Sequence, residues 1–283
     1  MSARAVLVLT GCMLAGCSGG SPRAGELPGA ERGQADRSTE QGIEPKPGQG
    51  SSDAAEPSEH QALRVLVTGF NDWRDLGDPP VIWRCRDNPS CRLLLGDLGL
   101  DASGPPSRYA GPLVERLERG GPEIAWTFQT LPVTWGVFEQ VPTEHDVIIN
   151  IGLGIYDRFD ALQLERGAYN LQRGEDALRV AREGAIDPRR GEILDPPQGS
   201  PIAARITSLV GTRIGGFEIL GAAARPDNSY LCNQTHWYAL AALHARGEGP
   251  REVYFLHIPY AEQDDYEALA DAVAGVVLGL VDR

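Results

Sequence analysis

Short runs of apolar residues, most of them closed by glycine or proline, recur along the chain from residue 63 onward. Runs of this length that are rich in Val, Ile and Leu are typical of buried β-strands. They predict strands at 63–69, 123–133, 146–151, 217–222 and 253–258. The segment 164–171 is predicted to be a short strand or an extended segment.

Stretches with helical periodicity lie between these runs and predict helices at 112–119, 201–209, 230–246 and 263–281. Residues 174–200 are rich in charge, Gly and Pro, and predict a long surface excursion. Strands that alternate with helices predict an α/β fold. We therefore expect a three-layer open twisted sheet with helices on both faces, in a single globular domain over 63–283.

The N-terminus has the pattern of a secretory signal, with Arg4 followed by an apolar stretch over 5–15. It ends in LAGC at 14–17, which resembles the lipobox of bacterial lipoproteins. The resemblance implies a signal peptide over 1–16 and a lipid on Cys17. An ordinary cleaved signal with a chance cysteine is the alternative. Ser18 after the cysteine favours an outer-membrane destination, so we expect a lipid-anchored protein of the cell envelope, on the periplasmic side or at the surface.

The following segment, 17–62, is rich in Gly, Pro, Ser, Glu and Gln and has almost no large apolar residue, which predicts a flexible linker between lipid and domain. The formal net charge is -13 and the sequence pI is about 4.8. An acidic chain repels nucleic acid and anionic lipid. We therefore expect no nucleic-acid partner, and contact with a membrane only through the lipid anchor.

The cysteines divide into three groups. Cys12 leaves with the signal and Cys17 carries the lipid, so Cys85, Cys91 and Cys232 remain. Outside the cytoplasm, a bridged pair with one free thiol is a sensible arrangement, and Cys85 and Cys91 lie six apart in a predicted loop. Two further ligands are not found nearby, so no zinc site is expected. Cys232 is then the leftover thiol.

Cys232 begins a predicted helix, where unpaired backbone N–H groups and the helix dipole favour the thiolate. The alternative is a buried Cys that acts as a small hydrophobe. His257 ends an apolar strand just before a proline, where α/β folds place active-site groups. His236, four residues after Cys232 on the same helical face, is a competing base. Glu165 lies beside an arginine and on its own suggests a surface ion pair.

Five segments taken together resemble the pyroglutamyl peptidases, a family of cysteine exopeptidases also called pyrrolidone-carboxylate peptidases. The segments are VLVTGFNDW at 65–73, NPS at 88–90, ERGAYN at 165–170, YLCN at 230–233 and FLHIPY at 255–260. Each motif alone is weak, but their order and approximate spacing agree with the family from residue 63 to the C-terminus. The resemblance covers the whole predicted domain.

The resemblance implies a catalytic triad of Glu165, Cys232 and His257. It also implies that Phe70 and Trp73 flank the substrate's lactam ring, and it places the Asn88 motif beside them as part of the substrate site. It implies no metal and no organic cofactor. Family members often form tetramers, so an oligomer is one expectation for this chain.

The segments that shape the substrate pocket in the family differ here. A Gly-Gln-Ala-Gly-Gly-Arg segment is replaced by GLGIYDR at 152–158, and Ser-Ala-Gly ahead of the cysteine by PDN at 226–228. The family's active-site arginine has no clear counterpart, and Arg173 and Arg179 are the candidates to replace it. The loop after the first predicted strand is longer than in the family, and it holds Cys85 and Cys91.

The resemblance implies an omega peptidase that removes an N-terminal pyroglutamyl residue, so its partner is a peptide with a blocked N-terminus. A non-catalytic peptide-binding lipoprotein is the first alternative. A thiol amidase of altered specificity on the same fold is the second.

Overall fold

The computed structural model describes residues 62–75, 81–96, 108–120, 123–155, 157–245, 249–261 and 265–282. Its α-helices are α1 (Pro89–Leu95), α2 (Pro112–Arg119), α3 (Ile202–Leu209), α4 (Leu231–His244) and α5 (Tyr266–Val281). Its strands are β1 (Leu63–Phe70), β2 (Trp73–Asp75), β3 (Val81–Trp83), β4 (Ile124–Leu131), β5 (Val147–Ile155), β6 (Ala161–Glu165), β7 (Ala168–Tyr169), β8 (Gln172–Glu175), β9 (Ala181–Gly184), β10 (Ile193–Leu194), β11 (Arg213–Ile214), β12 (Phe217–Ala222) and β13 (Glu252–Pro259).

The strands of the described residues form a seven-stranded mixed sheet in the order β11-β12-β6-β13-β5-β1-β4. Strands β4, β1, β5 and β13 run parallel to one another. Strand β6 runs antiparallel to β13, and β12 follows the direction of β6. Every residue of β13 is buried, because a parallel strand in the middle of a sheet is covered on both faces.

Helices cover both faces of the sheet, as the sequence predicts. Helices α1, α2, α3 and α5 pack on one face, where α5 contributes the longest row of buried side chains. Helix α4 packs on the other face, beside the segment around Trp135. Burying a large aliphatic side chain stabilises the fold by roughly 1.5–3 kcal/mol, so both apolar clusters stabilise the sheet between them. The α/β architecture with helices on both faces is confirmed.

One helix was not expected from the sequence. The predicted loop that holds both cysteines contains α1, which begins at Pro89 with Asn88 as its N-cap. The Asn88 side chain accepts a hydrogen bond from the backbone N–H of Ser90, and proline at the first helical position loses no hydrogen bond. Cys91 therefore lies in a helix and Cys85 in a short 3₁₀ turn.

Cys85 and Cys91 form a disulfide, with Cα atoms 5.1 Å apart. The bridge closes a short loop around Asn88, and Cys91 is fully buried. It thereby ties the start of α1 to the 3₁₀ turn before it. Among the described cysteines, Cys232 is the one left unbridged.

Removal of this bridge is expected to lower the free energy of unfolding. We expect the double variant Cys85→Ala, Cys91→Ala to lose about 2 kcal/mol, the loop-closure entropy of a link between residues so near in sequence. Alanine is chosen because a serine at buried position 91 would add an unpaired hydroxyl. Urea unfolding under non-reducing conditions measures the change. Reduction of the unmodified protein should give a similar shift, and coincident unfolding curves for the variant and the parent would contradict the prediction.

Candidate active site

Cys232 is the second residue of α4, and its side chain is partly exposed to solvent. Tyr230 is the N-cap, and its carbonyl accepts the first helical hydrogen bond, 3.1 Å from the nitrogen of Gln234. The first N–H groups of a helix have no partner within it, and the dipole is positive there. The local structure therefore suits a negatively charged sulfur at Cys232.

His257 and Glu165 form a buried charged pair inside the sheet. The Nδ1 atom of His257 lies 2.8 Å from Oε1 of Glu165, and their side chains are 6% and 3% exposed. At this distance the imidazole and the carboxylate are in direct contact. Antiparallel pairing of β6 with β13 places Gln163 opposite His257, which brings the end of β6 to the histidine.

The surroundings of His257 favour its charged form. Burial alone lowers the pKa of His257, but its hydrogen bond with Cys232 and its contact with Glu165 outweigh burial and raise the pKa. Because these interactions outweigh burial, the imidazole of His257 holds its proton at neutral pH. The structure therefore brings together the three side chains that the sequence predicts as a triad, with the histidine between the thiol and the carboxylate.

Two amides hold one oxygen of Glu165. Gln163 Nε2 donates to Oε1 over 3.2 Å, and Asn228 Nδ2 donates to the same atom over 3.4 Å. Asn228 belongs to the PDN segment ahead of the cysteine, so the residues that depart from the family pattern contribute a donor here. The other oxygen, Oε2, is buried and has no hydrogen-bond partner among the described residues.

Two glycines of β5 allow the side chains of Cys232 and His257 to pack closely against this strand. A Cβ atom at Gly154 would lie 2.3 to 2.7 Å from three atoms of the His257 ring, and one at Gly152 would lie 2.9 Å from Sγ of Cys232. Both distances are shorter than Cβ contacts in real proteins, so the two glycines are needed for this close approach. In the sequence, both glycines lie in the segment 152–158, which departs from the family pattern. Because they are two residues apart, they lie on the same face of a strand, and this spacing was the sequence signal that could have identified them.

His236, the competing base, does not make the contact with Glu165 that His257 makes. It is 2% exposed, and its ring centroid lies 5.8 Å from that of Phe255. Burial lowers the pKa of His236 to about 4, although the charge of Glu165 raises it and the charge of His257 lowers it further. Its side chain is thus neutral at physiological pH. Within the described ranges, no three His, Cys, Asp or Glu side chains are arranged to hold a metal ion.

The predicted substrate-binding residues lie at the end of β1 and beyond it. Phe70 is 5% exposed and belongs to the apolar cluster that also contacts Cys232. Asn88 donates to the carbonyls of Phe70 and Asn71 over 3.2 and 2.6 Å, so its amide ties α1 to the end of β1. Trp73 lies in β2, and its side chain is outside the described residues. A role in substrate binding stays a prediction for all three.

Side-chain amides that the sequence did not single out for this role fix the segment beside the nucleophile. Asn233, next to Cys232, accepts from the N–H of Tyr169 over 2.9 Å and donates to its carbonyl over 2.8 Å. Asn170 holds the following loop by donating to the carbonyls of Asp187 and Gly191. This segment is therefore attached to α4 and does not depend on apolar packing alone.

The structure does not identify Arg173 or Arg179 as a replacement for the family's active-site arginine. The Arg173 side chain is 60% exposed and lies 3.7 Å from Glu183 in an ion pair across the β8–β9 hairpin. Arg179 lies in the turn of that hairpin with a φ of 63°. Both arginines therefore belong to the exposed hairpin.

The predicted signal peptide over 1–16, the lipid on Cys17 and all but the last residue of the predicted linker over 17–62 lie outside the described residues. They stay predictions. None of the helices in the described part of the chain has the length and hydropathy needed to cross a membrane.

No family model and no curated protein sequence matches this chain. Solved structures do match it. A mutant form of the pyrrolidone carboxyl peptidase of the hyperthermophile Pyrococcus furiosus matches with a TM-score of 0.54 and 19% identity, over 78% of this chain and 99% of that chain. The pyrrolidone carboxyl peptidase of Fervidobacterium islandicum AW-1 matches with a TM-score of 0.52 and 18% identity, over 77% and 98%. The described domain therefore has the fold of the pyrrolidone carboxyl peptidases.

Proposed function

We propose that this protein is a cysteine exopeptidase that hydrolyses the amide bond after an N-terminal pyroglutamyl residue. The observation that carries the proposal is the arrangement of Cys232, His257 and Glu165, with His257 Nδ1 2.8 Å from the carboxylate and with the thiol and the His257 ring packed over Gly152 and Gly154 of the same strand. The shared fold with pyrrolidone carboxyl peptidases supports it.

Before the first half-reaction, His257 already holds the proton of Cys232, as an imidazolium beside a thiolate. The thiolate attacks the carbonyl carbon of the pyroglutamyl residue, and a C–S bond forms. The imidazolium then gives its proton to the leaving nitrogen as the C–N bond breaks, which releases the shortened peptide. Glu165 stabilises the imidazolium and holds the ring in the orientation that transfers the proton.

In the second half-reaction, His257 takes a proton from water as the water attacks the thioester. The C–S bond breaks, free pyroglutamate leaves, and Cys232 returns as a thiolate beside the imidazolium of His257. The negative charge that develops on the carbonyl oxygen in both half-reactions needs a hydrogen-bond donor to stabilise it. The backbone N–H of Cys232, in the first turn of α4, is a donor of the type that stabilises such a charge.

The substrate is a small neutral lactam without a free amine. It requires an apolar surface with a few hydrogen-bonding groups and no carboxylate to pair with an ammonium. Phe70 at the end of β1, in the apolar cluster that reaches Cys232, supports this choice. We propose that Trp73 supplies a second flat face and that Asn88 keeps the end of β1 in place for the ring.

We further propose that the lipid on Cys17 and the linker hold this domain at the cell envelope. Its substrates are then peptides with blocked N-termini that reach the envelope. The disulfide supports an oxidising compartment, because such bonds persist outside the cytoplasm.

Hydrolysis of a fluorogenic pyroglutamyl amide by the purified protein tests the proposal. Alanyl and prolyl amides serve as comparison substrates, and Cys232→Ala gives the background rate. We expect cleavage of the pyroglutamyl amide alone, and its loss after treatment with iodoacetamide.

Each other result identifies a different function. Cleavage of the comparison amides but not of the pyroglutamyl amide would indicate a thiol amidase of altered specificity. If no amide is cleaved and Cys232 reacts no faster with iodoacetamide than free cysteine does, the proposal is wrong and the result favours the peptide-binding alternative.

A further inference from the structure

A cavity lies at the carboxyl end of β13, and its described lining includes none of the three proposed catalytic side chains. Its volume is about 330 Å³, which lies within the range of small-molecule sites. The lining comes from the turn before α1, from α1 itself, from the residues after β13 and from the start of α5. The lining residues are Arg86, Asp87, Arg92, Tyr260, Ala261 and Tyr266. Because most of these side chains are polar, the cavity suits a charged ligand group better than an apolar one.

The disulfide fixes the two arginines of this cavity relative to each other. Arg86 directly follows Cys85 and Arg92 directly follows Cys91, and the Cα atoms of the two cysteines are 5.1 Å apart. The Nη1 atom of Arg92 lies 3.5 Å from the backbone carbonyl oxygen of Arg86. The bridge therefore holds both arginines on neighbouring pieces of backbone at the same cavity.

The two guanidinium groups are held in different ways. The Cζ atom of Arg92 lies 4.7 Å from the centroid of the Tyr266 ring, a cation–π contact between α1 and α5. A guanidinium that is already oriented loses less conformational entropy when a ligand binds. The Arg86 side chain is 74% exposed and pairs with Asp87 over 3.3 Å. An exposed pair of this kind contributes little free energy, so Arg86 can turn toward a ligand.

Two phenols add hydrogen-bond donors to the lining. Burial raises the pKa of Tyr266 to about 12, although the charge of Arg92 lowers it, so this hydroxyl keeps its proton at physiological pH. Tyr260 is the last residue of the FLHIPY segment, and the proposed mechanism gives it no role. Phenolic O–H and guanidinium N–H groups around one cavity form a set of donors that suits an oxyanion.

The charges of the lining decide which oxyanion fits. The two arginines and Asp87 leave one net positive charge among the described lining residues, on a chain whose formal net charge is -13. One positive charge balances a carboxylate, whereas a phosphate monoester carries about -1.5 to -2 at pH 7 and would be repelled by Asp87. The planar guanidinium also matches the geometry of a carboxylate.

We propose that the cavity beside the disulfide is a binding site for a carboxylate group. The guanidinium groups of Arg86 and Arg92 pair with its two oxygens, and the hydroxyls of Tyr260 and Tyr266 donate to it. This assignment gives a role to the longer first loop, which places Arg86 and Arg92 at the cavity. The site itself does not depend on the proposed function.

The carboxylate has two possible sources, a separate small molecule or the C-terminus of a substrate peptide. Tyr260 follows His257 by three residues, a backbone span of at most about 11 Å. A peptide that extends a few residues beyond the scissile bond is long enough to cover that span. The second source rests on the proposed function, whereas the first does not.

Benzoate and benzamide test the site, because they have nearly the same size and shape and only benzoate is charged. The midpoint of thermal unfolding of the whole protein is recorded against the concentration of each compound at constant ionic strength. We expect saturable stabilisation by benzoate, since a ligand that binds the folded state raises the midpoint, and none by benzamide. Isothermal titration calorimetry then gives the Kd of benzoate.

Arg86→Gln should weaken benzoate binding by at least about tenfold, the effect of losing a hydrogen bond between charged groups. Arg92→Gln should weaken it at least as much, but it also removes the cation–π contact, so Arg86→Gln is the deciding variant. Arg189→Gln is the matched control, because Arg189 is 88% exposed and pairs with a nearby aspartate without lining the cavity. It should bind benzoate as the parent does.

Kinetics identify the source of the carboxylate. Pyroglutamyl-alanyl-alanine and its C-terminal amide differ only in the terminal carboxylate. If the substrate supplies the group, Arg86→Gln should raise KM for the acid, leave KM for the amide unchanged and leave kcat unchanged for both. If a separate molecule supplies it, KM should stay at the parent value for both substrates while benzoate binding is weakened. Either result supports the site.

The proposal is overturned if benzamide stabilises the protein as much as benzoate does, or if neither compound does. It is also overturned if Arg86→Gln binds benzoate as tightly as Arg189→Gln, because the anion would then bind elsewhere. The binding measurements need no turnover. An absence of pyroglutamyl hydrolysis would therefore refute the proposed function while the benzoate results still decide the role of the cavity.

Discussion

Gly154→Ala is expected to lower kcat by at least about a hundredfold, because a displacement of a catalytic group by about 1 Å has an effect of this size. The added Cβ would lie 2.3 Å from Cδ2 and 2.7 Å from Nε2 of His257. The ring cannot move aside freely, since His257 is 4% exposed and the ring of Phe255 packs edge-on against it at 4.9 Å. The measurement is kcat for the pyroglutamyl amide, with circular dichroism to show that the sheet is retained.

Two further glycine variants make this result specific. Gly191→Ala is the control, because a Cβ there meets no atom within 4 Å and the residue does not have a positive φ. It should keep full activity. Gly152→Ala should give a smaller loss than Gly154→Ala, since its nearest atoms, Sγ of Cys232 and Cζ of Phe255, would lie 2.9 and 3.1 Å from the added Cβ, farther than the 2.3 Å at Gly154. Near-normal kcat in a folded Gly154→Ala variant would contradict the described position of His257.

Glu165→Gln is expected to lower kcat by about a thousandfold to ten-thousandfold, the effect of removing the charge of the third member of a triad. Glutamine has nearly the same shape, and its oxygen still accepts from Gln163 and Asn228. The imidazolium of His257 then lacks its counter-charge in a buried site. Kinetics with the pyroglutamyl amide measure the loss, and Glu218→Gln, at a partly exposed carboxylate of β12 paired with Arg158, is the matched control.

The same variant should change the pH dependence of the reaction. The contact with Glu165 raises the pKa of His257, so its removal lowers that pKa. The ion pair requires the protonated ring, and the alkaline limb of the profile of kcat/KM should therefore move to lower pH in Glu165→Gln. An alkaline limb that stays in place would mean that Glu165 does not stabilise the imidazolium.

Local sequence signals predicted several elements well. Helix α2 has the predicted bounds, because Pro112 at its first position and Gly120 after its end are strong start and stop signals. Strand β12 also has the predicted bounds. Helix α1 was missed, although Asn88 before Pro89 is a capping signal, because two nearby cysteines suggested a loop.

The arrangement of the candidate active site was harder to predict from the sequence than the helices and strands were. Apolar periodicity does not fix strand direction, so the antiparallel pairing of β6 with β13 could not be predicted, and this pairing puts Glu165 beside His257. The role of Gly154 depends on a tertiary contact, which no local pattern describes. His236 was identified as a candidate base because its spacing from Cys232 was visible, whereas its burial and its lack of a partner among the described residues were not.

The pairing of β6 with β13 also affects how this protein should lose activity on heating. Glu165 and His257 are carried by strands in the interior of the main sheet, with Leu164 opposite Leu256. Backbone amides in such strands exchange with solvent mainly when the whole domain unfolds, whereas an exposed hairpin such as β8–β9 opens by local fluctuations. Hydrogen exchange should therefore be slowest around these two residues. Heat inactivation should coincide with cooperative unfolding, and no folded but inactive state should precede it.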